Sequence, residues 1–136
     1  MGKNLLSISG FVLLVLFASG SYDTRGQSAK QKREATYQTK LQSYADVLKT
    51  GMARKNVEDY LRAKGVAFGQ LCCIDESSVF SDLVKIGKEK HPWYCEEHNV
   101  YIAFQFVSVE PQKGFEAHDS DTLKEITIFH KLDGCL

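Results

Sequence analysis

The sequence has little proline, a single tryptophan and no excess of either charge. Its 136 residues include 2 Pro and 10 Gly, and 17 basic side chains balance 17 acidic ones. The charge balance excludes a polycation built to bind nucleic acid and also a polyanionic tail. The scarcity of Pro and Gly excludes a fibrous or linker-like chain. The remaining composition, 43% hydrophobic and 25% charged, predicts one globular domain rather than a disordered chain.

The chain also lacks the short motifs that mark well-known catalytic and cofactor sites. It has no phosphate-binding loop, dinucleotide fingerprint, H-E-x-x-H pair or EF-hand loop. No C-x-x-C redox pair is present. His118 has acidic neighbours in Asp119 and Asp121, but no G-x-S-x-G nucleophile motif accompanies them. The sequence therefore predicts a non-enzymatic protein without a cofactor or a bound metal.

The first 20 residues have the pattern of an export signal. Lys3 supplies a positive start, an apolar run covers residues 5–18, and small residues follow up to Gly20. This order is typical of a cleaved secretory signal peptide. A short membrane anchor is the alternative, although a spanning helix needs about 20 apolar residues and this run is shorter. The pattern predicts an exported protein, periplasmic or extracellular, with or without a retained anchor.

A polar segment over residues 21–35 separates this signal from the rest of the chain and shows no apolar periodicity. We expect a flexible tether that merges into a helix. Its basic side chains would allow a weak contact with anionic lipid headgroups. These are Arg25, Lys30, Lys32 and Arg33. We assign the remaining residues, 36–136, to a single α+β domain.

Two helices are predicted at the start of that domain. Apolar residues from Tyr37 to Leu48 recur on one face of a helix that begins near Glu34 and stops at Gly51. A second helix is predicted over residues 54–64, and i,i+4 charge pairs mark its solvent-exposed side. These pairs are Arg54 with Glu58, Lys55 with Asp59, and Glu58 with Arg62.

After Gly65 the apolar pattern changes to the alternation of β-strands. Strands are predicted over residues 66–73, 99–109 and 122–132, and the window 80–86 favours a strand over a short helix. Residues 110–121 have the composition of a loop. This order predicts an α+β fold in which two N-terminal helices pack on a three- or four-stranded antiparallel sheet.

Four cysteines, Cys72, Cys73, Cys95 and Cys135, predict two structural disulfides in an exported protein. Neighbouring Cα atoms lie about 3.8 Å apart, whereas ordinary disulfides span about 4.4–6.8 Å, so a bridge between Cys72 and Cys73 is disfavoured. Two pairings stay open: Cys72 with Cys95 and Cys73 with Cys135, or the reverse. Free thiols are one alternative, and a metal or redox site that uses Cys95 and His98 is another.

A turn around Pro92 carries the only tryptophan of the chain. Exposed aromatic side chains held by a proline and a disulfide would make an anchor for protein contact. Alternatively, Trp93 folds back over the sheet edge, which we favour because large aromatic side chains mostly bury. The first interpretation gives a binding-site hypothesis that consists of His91, Trp93 and Tyr94.

Residues 44–57, with the sequence Y-A-D-V-L-K-T-G-M-A-R-K-N-V, resemble the start of the SmpA/OmlA, or BamE-like, envelope domain. Gly51, Met52 and Val57 match its pattern, and Leu61 takes the expected apolar position. The resemblance implies two helices followed by antiparallel strands, and a binding or scaffold role in the cell envelope with a protein partner. A related helix–helix–sheet unit occurs in secreted β-lactamase inhibitor proteins, so an inhibitor of a soluble enzyme is a second hypothesis. A thiol- or metal-binding protein that uses the cysteines is a third.

Overall fold

The computed structural model describes residues 24–75, 79–110 and 116–136, so the predicted signal segment lies outside the described residues. Two helices precede a four-stranded sheet whose neighbouring strands are all antiparallel, in the order β1-β2-β3-β4. This confirms the predicted α+β class. The elements are α1 Thr24–Ala45, α2 Arg54–Ala63, β1 Gly69–Leu71, β2 Ser81–Glu89, β3 Glu97–Val107 and β4 Thr122–Asp133.

The first helix, α1, begins at Thr24 rather than near Glu34, so most of the segment predicted as a tether is helical. Residues 28–36 are exposed on all sides, and their Gln, Lys, Arg, Glu and Ala side chains favour a helix without needing a buried face. From Tyr37 onward the helix buries one face, as its apolar spacing predicts, but it ends at Ala45 rather than at Gly51. Neither helix in the described part of the chain is long and apolar enough to span a membrane.

The turn between the two helices depends on a glycine. Gly51 has a φ of 89°, in the left-handed region that side chains other than glycine rarely adopt. Its N–H donates to the Leu123 carbonyl at 2.7 Å, and the Leu123 N–H donates to the Met52 carbonyl at 2.8 Å. The turn is therefore bonded to the start of β4, and α2 follows it over Arg54–Ala63, close to the predicted bounds.

The sheet is built around β3, whose alternating residues lie on two faces. Ile102 pairs with Val84 of β2 and with Ile128 of β4. The window 80–86 is a strand as favoured, whereas the strand predicted over residues 66–73 is reduced to Gly69–Leu71. One buried apolar cluster contains residues from α1, α2, the three longer strands and the segments next to them: Tyr44, Leu48, Val57, Leu61, Val79, Val84, Ile102, Phe104, Phe106 and Leu123.

The first helix approaches β2 closely at a second glycine. A Cβ atom placed on Gly87 would lie 2.7 Å from the Tyr37 hydroxyl oxygen and 2.9 Å from a ring carbon of the same side chain. One helical turn earlier, Arg33 forms an ion pair with Glu89 at 3.6 Å. Only a residue without a side chain allows the Tyr37 ring to lie this near to the strand.

Candidate functional site

The most buried charges of the described chain surround Arg54, the first residue of α2. Its side chain is 1% exposed. Its Nη1 donates to Asp82 Oδ1 at 2.7 Å, and its Nε donates to Asp121 Oδ2 at 3.3 Å. Its Nη2 donates to the Phe80 carbonyl, and the guanidinium lies 3.9 Å from the centroid of the Phe106 ring. One side chain thus joins α2, β2 and the residues that lead into β4.

The prediction that Arg54 faces solvent and pairs with Glu58 is wrong. Arg54 precedes the buried Val57 by three residues and the buried Leu61 by seven, so all three share one face of the helix. The other two predicted pairs form, Glu58 with Arg62 and Lys55 with Asp59. This helical spacing was the signal in the sequence that could have identified Arg54 as an inward-facing residue.

Burial raises the pKa of Asp82 to about 6, although the nearby Arg54 charge lowers it and Glu58 raises it further. Asp82 Oδ2 and Asp121 Oδ1 have no hydrogen-bond partner in the described structure. Asp121 Oδ2 also accepts the His118 N–H at 2.9 Å, so the acidic neighbour of His118 belongs to this internal cluster. Because the carboxylates and the guanidinium are shielded from solvent, the cluster holds elements together rather than presenting groups to a substrate.

A different site, the turn of residues 92–95, faces solvent. The Cys95 N–H donates to the Pro92 carbonyl at 3.1 Å, and the Leu136 N–H donates to the Tyr94 carbonyl at 2.9 Å. Trp93 is 89% exposed and Tyr94 43% exposed, with ring centroids 5.8 Å apart in an edge-to-face arrangement. The favoured interpretation, in which Trp93 folds back over the sheet edge, is therefore wrong. All three side chains of the predicted binding site, His91, Trp93 and Tyr94, are exposed.

The cysteine pairing differs from both sequence predictions. Cys95 is bonded to Cys135, and this pair follows from the strand register. Glu97 at the start of β3 pairs with Asp133 at the end of β4. Cys95 precedes Glu97 by two residues and Cys135 follows Asp133 by two, so the two cysteines lie side by side. The Glu96 N–H donates to the Asp133 carbonyl at 3.0 Å and fixes this junction.

The other two cysteines, Cys72 and Cys73, are exposed and bonded to each other across a cis peptide bond, with their Cα atoms 3.1 Å apart. They directly follow Leu71, which pairs with Ser81 of β2. The next residue of β2, Asp82, pairs with Phe104, which is near the end of β3 that lies farther from Cys95. A strand extends by about 3.3 Å per residue, so most of the length of β3 separates them from Cys95. This separation is the physical reason that neither predicted pairing forms.

The histidines and the cysteines do not come together as the metal hypothesis required. Cys95 is used by its disulfide, and His98 lies beside His130 instead, with Nε2 3.1 Å from Nδ1. Among the described residues, no three His, Cys, Asp or Glu side chains form a group that could hold a metal ion.

The basic side chains predicted to contact lipid are spread along α1. Lys30 and Lys32 are exposed, whereas Arg33 pairs with Glu89. The Arg25 side chain lies outside the described part of the structure. The prediction of a membrane-surface contact is neither strengthened nor removed by this arrangement.

Comparisons of the chain with models of protein families, with curated proteins and with solved structures found no match. The resemblance of residues 44–61 to the SmpA/OmlA domain therefore stays a prediction. Of the Arg54 cluster and the Trp93 turn, only the turn is open to another molecule.

Proposed function

We propose that this chain is a non-enzymatic binding protein that captures a partner protein through the Trp93–Tyr94 turn. The observation that carries the proposal is the exposure of Trp93, which is 89% accessible. Tryptophan and tyrosine are enriched among the residues that dominate protein–protein binding. An exposed pair of such rings on a well-defined turn is a surface that a partner would cover.

The turn is held firmly enough to serve as an anchor. The Cys95–Cys135 disulfide follows it directly, and the hydrogen bond from Leu136 N–H to the Tyr94 carbonyl ties it to the chain beyond β4. A turn whose backbone is already fixed loses less conformational entropy on binding, so more of the contact energy contributes to affinity.

The proposed setting is the cell envelope, with the chain acting as an exported scaffold of the BamE-like kind. Two observations support this setting. Two cysteine pairs are bonded, as is usual in oxidising compartments outside the cytoplasm. The Gly51–Met52 turn joins two helices that precede antiparallel strands, which is the element order that the BamE-like resemblance implies.

A secreted inhibitor of a soluble enzyme is the second candidate, and the same observation favours it. Two aromatic rings that project from a disulfide-bonded turn fit a concave surface such as an enzyme cleft. The two candidates use one site and differ in partner, which is a component of an envelope assembly in the first and a soluble enzyme in the second.

Crosslinking from the turn tests the proposal. A photoreactive phenylalanine analogue at Tyr94 would be introduced into the full chain, into W93A and into the matched control V47A, which truncates another exposed apolar side chain. We expect one crosslinked partner with the unaltered turn and with V47A, and at least about a tenfold loss with W93A, as for a binding hot spot. Membrane-fraction and soluble-fraction partners would separate the scaffold from the inhibitor.

The thermal midpoint of W93A is the accompanying measurement. Since Trp93 is exposed, we expect its replacement to leave the midpoint within about 2 °C of the wild-type value. Full capture by W93A would refute the proposed site. A large fall in the midpoint would show that Trp93 belongs to the core.

A further inference from the structure

The outer edge of β4 is the longest open strand edge in the described structure. In the sheet order β4 is terminal, and its 12 residues pair with β3 on one side. On the other side its described backbone is bonded only at the start, by the bridge between Ala53 and Thr122 and by the two hydrogen bonds between Leu123 and the Gly51–Met52 turn. From Glu125 onward the described chain provides no second strand. An open edge exposes backbone donors and acceptors that another strand can pair with.

The open part of this edge is also regular. The single register shift between β3 and β4 falls between Gln105 and Phe106, which is the covered end of β4. The pairing then continues without interruption from Glu125 to Asp133. A regular strand with alternating side chains can accept a neighbour along its whole length, whereas a bulge would twist the edge away.

We propose that two copies of this chain associate by antiparallel pairing of their β4 edges, with a two-fold axis at Ile128. In such a dimer the central residue faces the same residue of the second copy. A residue that precedes the central residue by some number of positions faces the residue of the second copy that follows it by the same number. The choice of central residue therefore decides which charges meet, and neighbouring choices can be compared directly.

Charge complementarity selects the Ile128 register. An axis at Ile128 places Glu125 opposite Lys131 of the second copy, and symmetry repeats the pair. An axis at Phe129 would place Glu125 opposite Asp133, and like charges directly opposite each other are destabilising. An axis at Thr127 would place Lys124 opposite His130 and Glu125 opposite Phe129, with no ion pair. Of these three registers, only the first brings opposite charges together.

The other facing pairs suit a sheet. In the Ile128 register Thr127 faces Phe129 and Ile126 faces His130, while Ile128 faces its own copy. Aromatic and β-branched residues stabilise cross-strand pairs of this kind. The apolar members are only half-buried in the single chain, so pairing would remove further apolar surface from water.

The charged residues are accessible for this contact. Glu125 is exposed, and the Lys131 side chain is 35% exposed beside Asp133 of its own strand, with which it pairs. In the dimer Lys131 would lie between Asp133 of its own chain and Glu125 of the second copy. The two sheets would join into one continuous sheet.

Sedimentation velocity of the purified chain from about 1 to about 200 µM tests the proposal, because a homodimer depends on concentration by mass action. The variants are E125K, K131E and the charge-swapped double variant E125K/K131E. The control is E34K, which makes the same charge change on an exposed residue of α1.

We expect the wild-type chain and E34K to dimerise, and each single β4 variant to weaken dimerisation by about tenfold, because like charges then face each other twice. The double variant should return to within about threefold of the wild-type constant. A chain that stays monomeric across the range would overturn the dimer. Single variants that associate as strongly as the wild type would overturn this register. W93A should dimerise as strongly as the wild type. A failure of the β4 dimer is therefore distinguishable from a failure of partner capture through the Trp93 turn.

Discussion

The guanidinium of Arg54 connects positions that are far apart in the sequence. It contacts Asp82 and Asp121, which are 28 and 67 residues away. Removing one partner of a buried ion pair costs about 3–5 kcal/mol, because the remaining charge is then uncompensated. The three side chains therefore act together, and the geometry of each depends on the other two.

We expect the contribution of Asp82 to the free energy of unfolding to decrease as the pH rises. Burial raises its native pKa to about 6 from the ordinary 3.8, in spite of Arg54. Between these values the native carboxyl keeps a proton that the unfolded chain releases. The stabilisation is thus complete below the unfolded pKa and is lost as the pH rises through about 6. Urea unfolding of the wild type and D82N across this range measures the effect.

The difference in unfolding free energy between the wild type and D82N reports the contribution of Asp82 apart from that of the other acids. Asp59, Glu97 and Asp133 have lowered pKa values because of hydrogen bonds from lysine side chains, so they add stability as the pH rises. They are present in both proteins and cancel in the comparison. Parallel pH profiles for the wild type and D82N would contradict the raised pKa.

At the scale of elements, the contact between α1 and β2 depends on the space above Gly87. We expect G87A to lower the free energy of unfolding by about 1–3 kcal/mol, as overpacking of a buried contact does. A Cβ there would meet the Tyr37 hydroxyl at 2.7 Å. Urea unfolding measures the loss, and G69A is the matched control because a Cβ at Gly69 meets nothing within 4 Å.

A double variant checks the assignment of this contact. If the clash with Tyr37 causes the loss, G87A should cost much less in a Y37A background than in the wild type, since the two residues would be coupled. Equal costs in the two backgrounds would mean that Gly87 acts through something other than α1.

The regular elements were predictable where one pattern dominated. Strict alternation from Val100 to Phe106 identifies β3, and the periodicity from Tyr37 to Tyr44 identifies the buried part of α1. The exposed stretch of α1 over residues 28–36 was not predictable, because a helix that is solvated on all sides has no apolar period. Only its residue propensities favour it, and these are a weak signal on their own.

The sites were less predictable than the elements because they depend on contacts between distant residues. The inward direction of Arg54 is visible in its spacing to Val57, but its partners Asp82 and Asp121 are brought together only by the sheet. The Trp93 turn shows the opposite case. An exposed Trp93 was one of two interpretations that the sequence allowed, but the general tendency of tryptophan to bury favoured the wrong one.

At the scale of the whole molecule, the Cys95–Cys135 bond joins the ends of the two longest strands. We expect C95S/C135S to lose about 2–4 kcal/mol of unfolding free energy, as is typical for a native disulfide that closes a loop of this size. Urea unfolding of the oxidised wild type and this variant measures the loss. An unchanged stability would mean that the strand pairing alone fixes this junction.

Peptide mapping without reduction checks the pairing directly. Trypsin places Cys95, Cys135 and the Cys72–Cys73 pair in three separate peptides, because lysines at positions 85, 90, 113 and 131 lie between them. We expect a linked peptide pair that contains Cys95 and Cys135, and a third peptide that carries its own internal bond. A link from Cys95 to the third peptide would contradict the strand register.

The same bond makes the segment from Cys95 to Cys135 a covalent ring that includes β3 and β4. A protease that cuts once between these strands would open the ring without dividing the molecule. The two pieces would migrate as one species until a reductant is added, and β4 would stay in register against β3. Cleavage of the connection between the strands would therefore not remove β4 from the sheet. In a domain without this disulfide, the same cleavage would allow the last strand to dissociate.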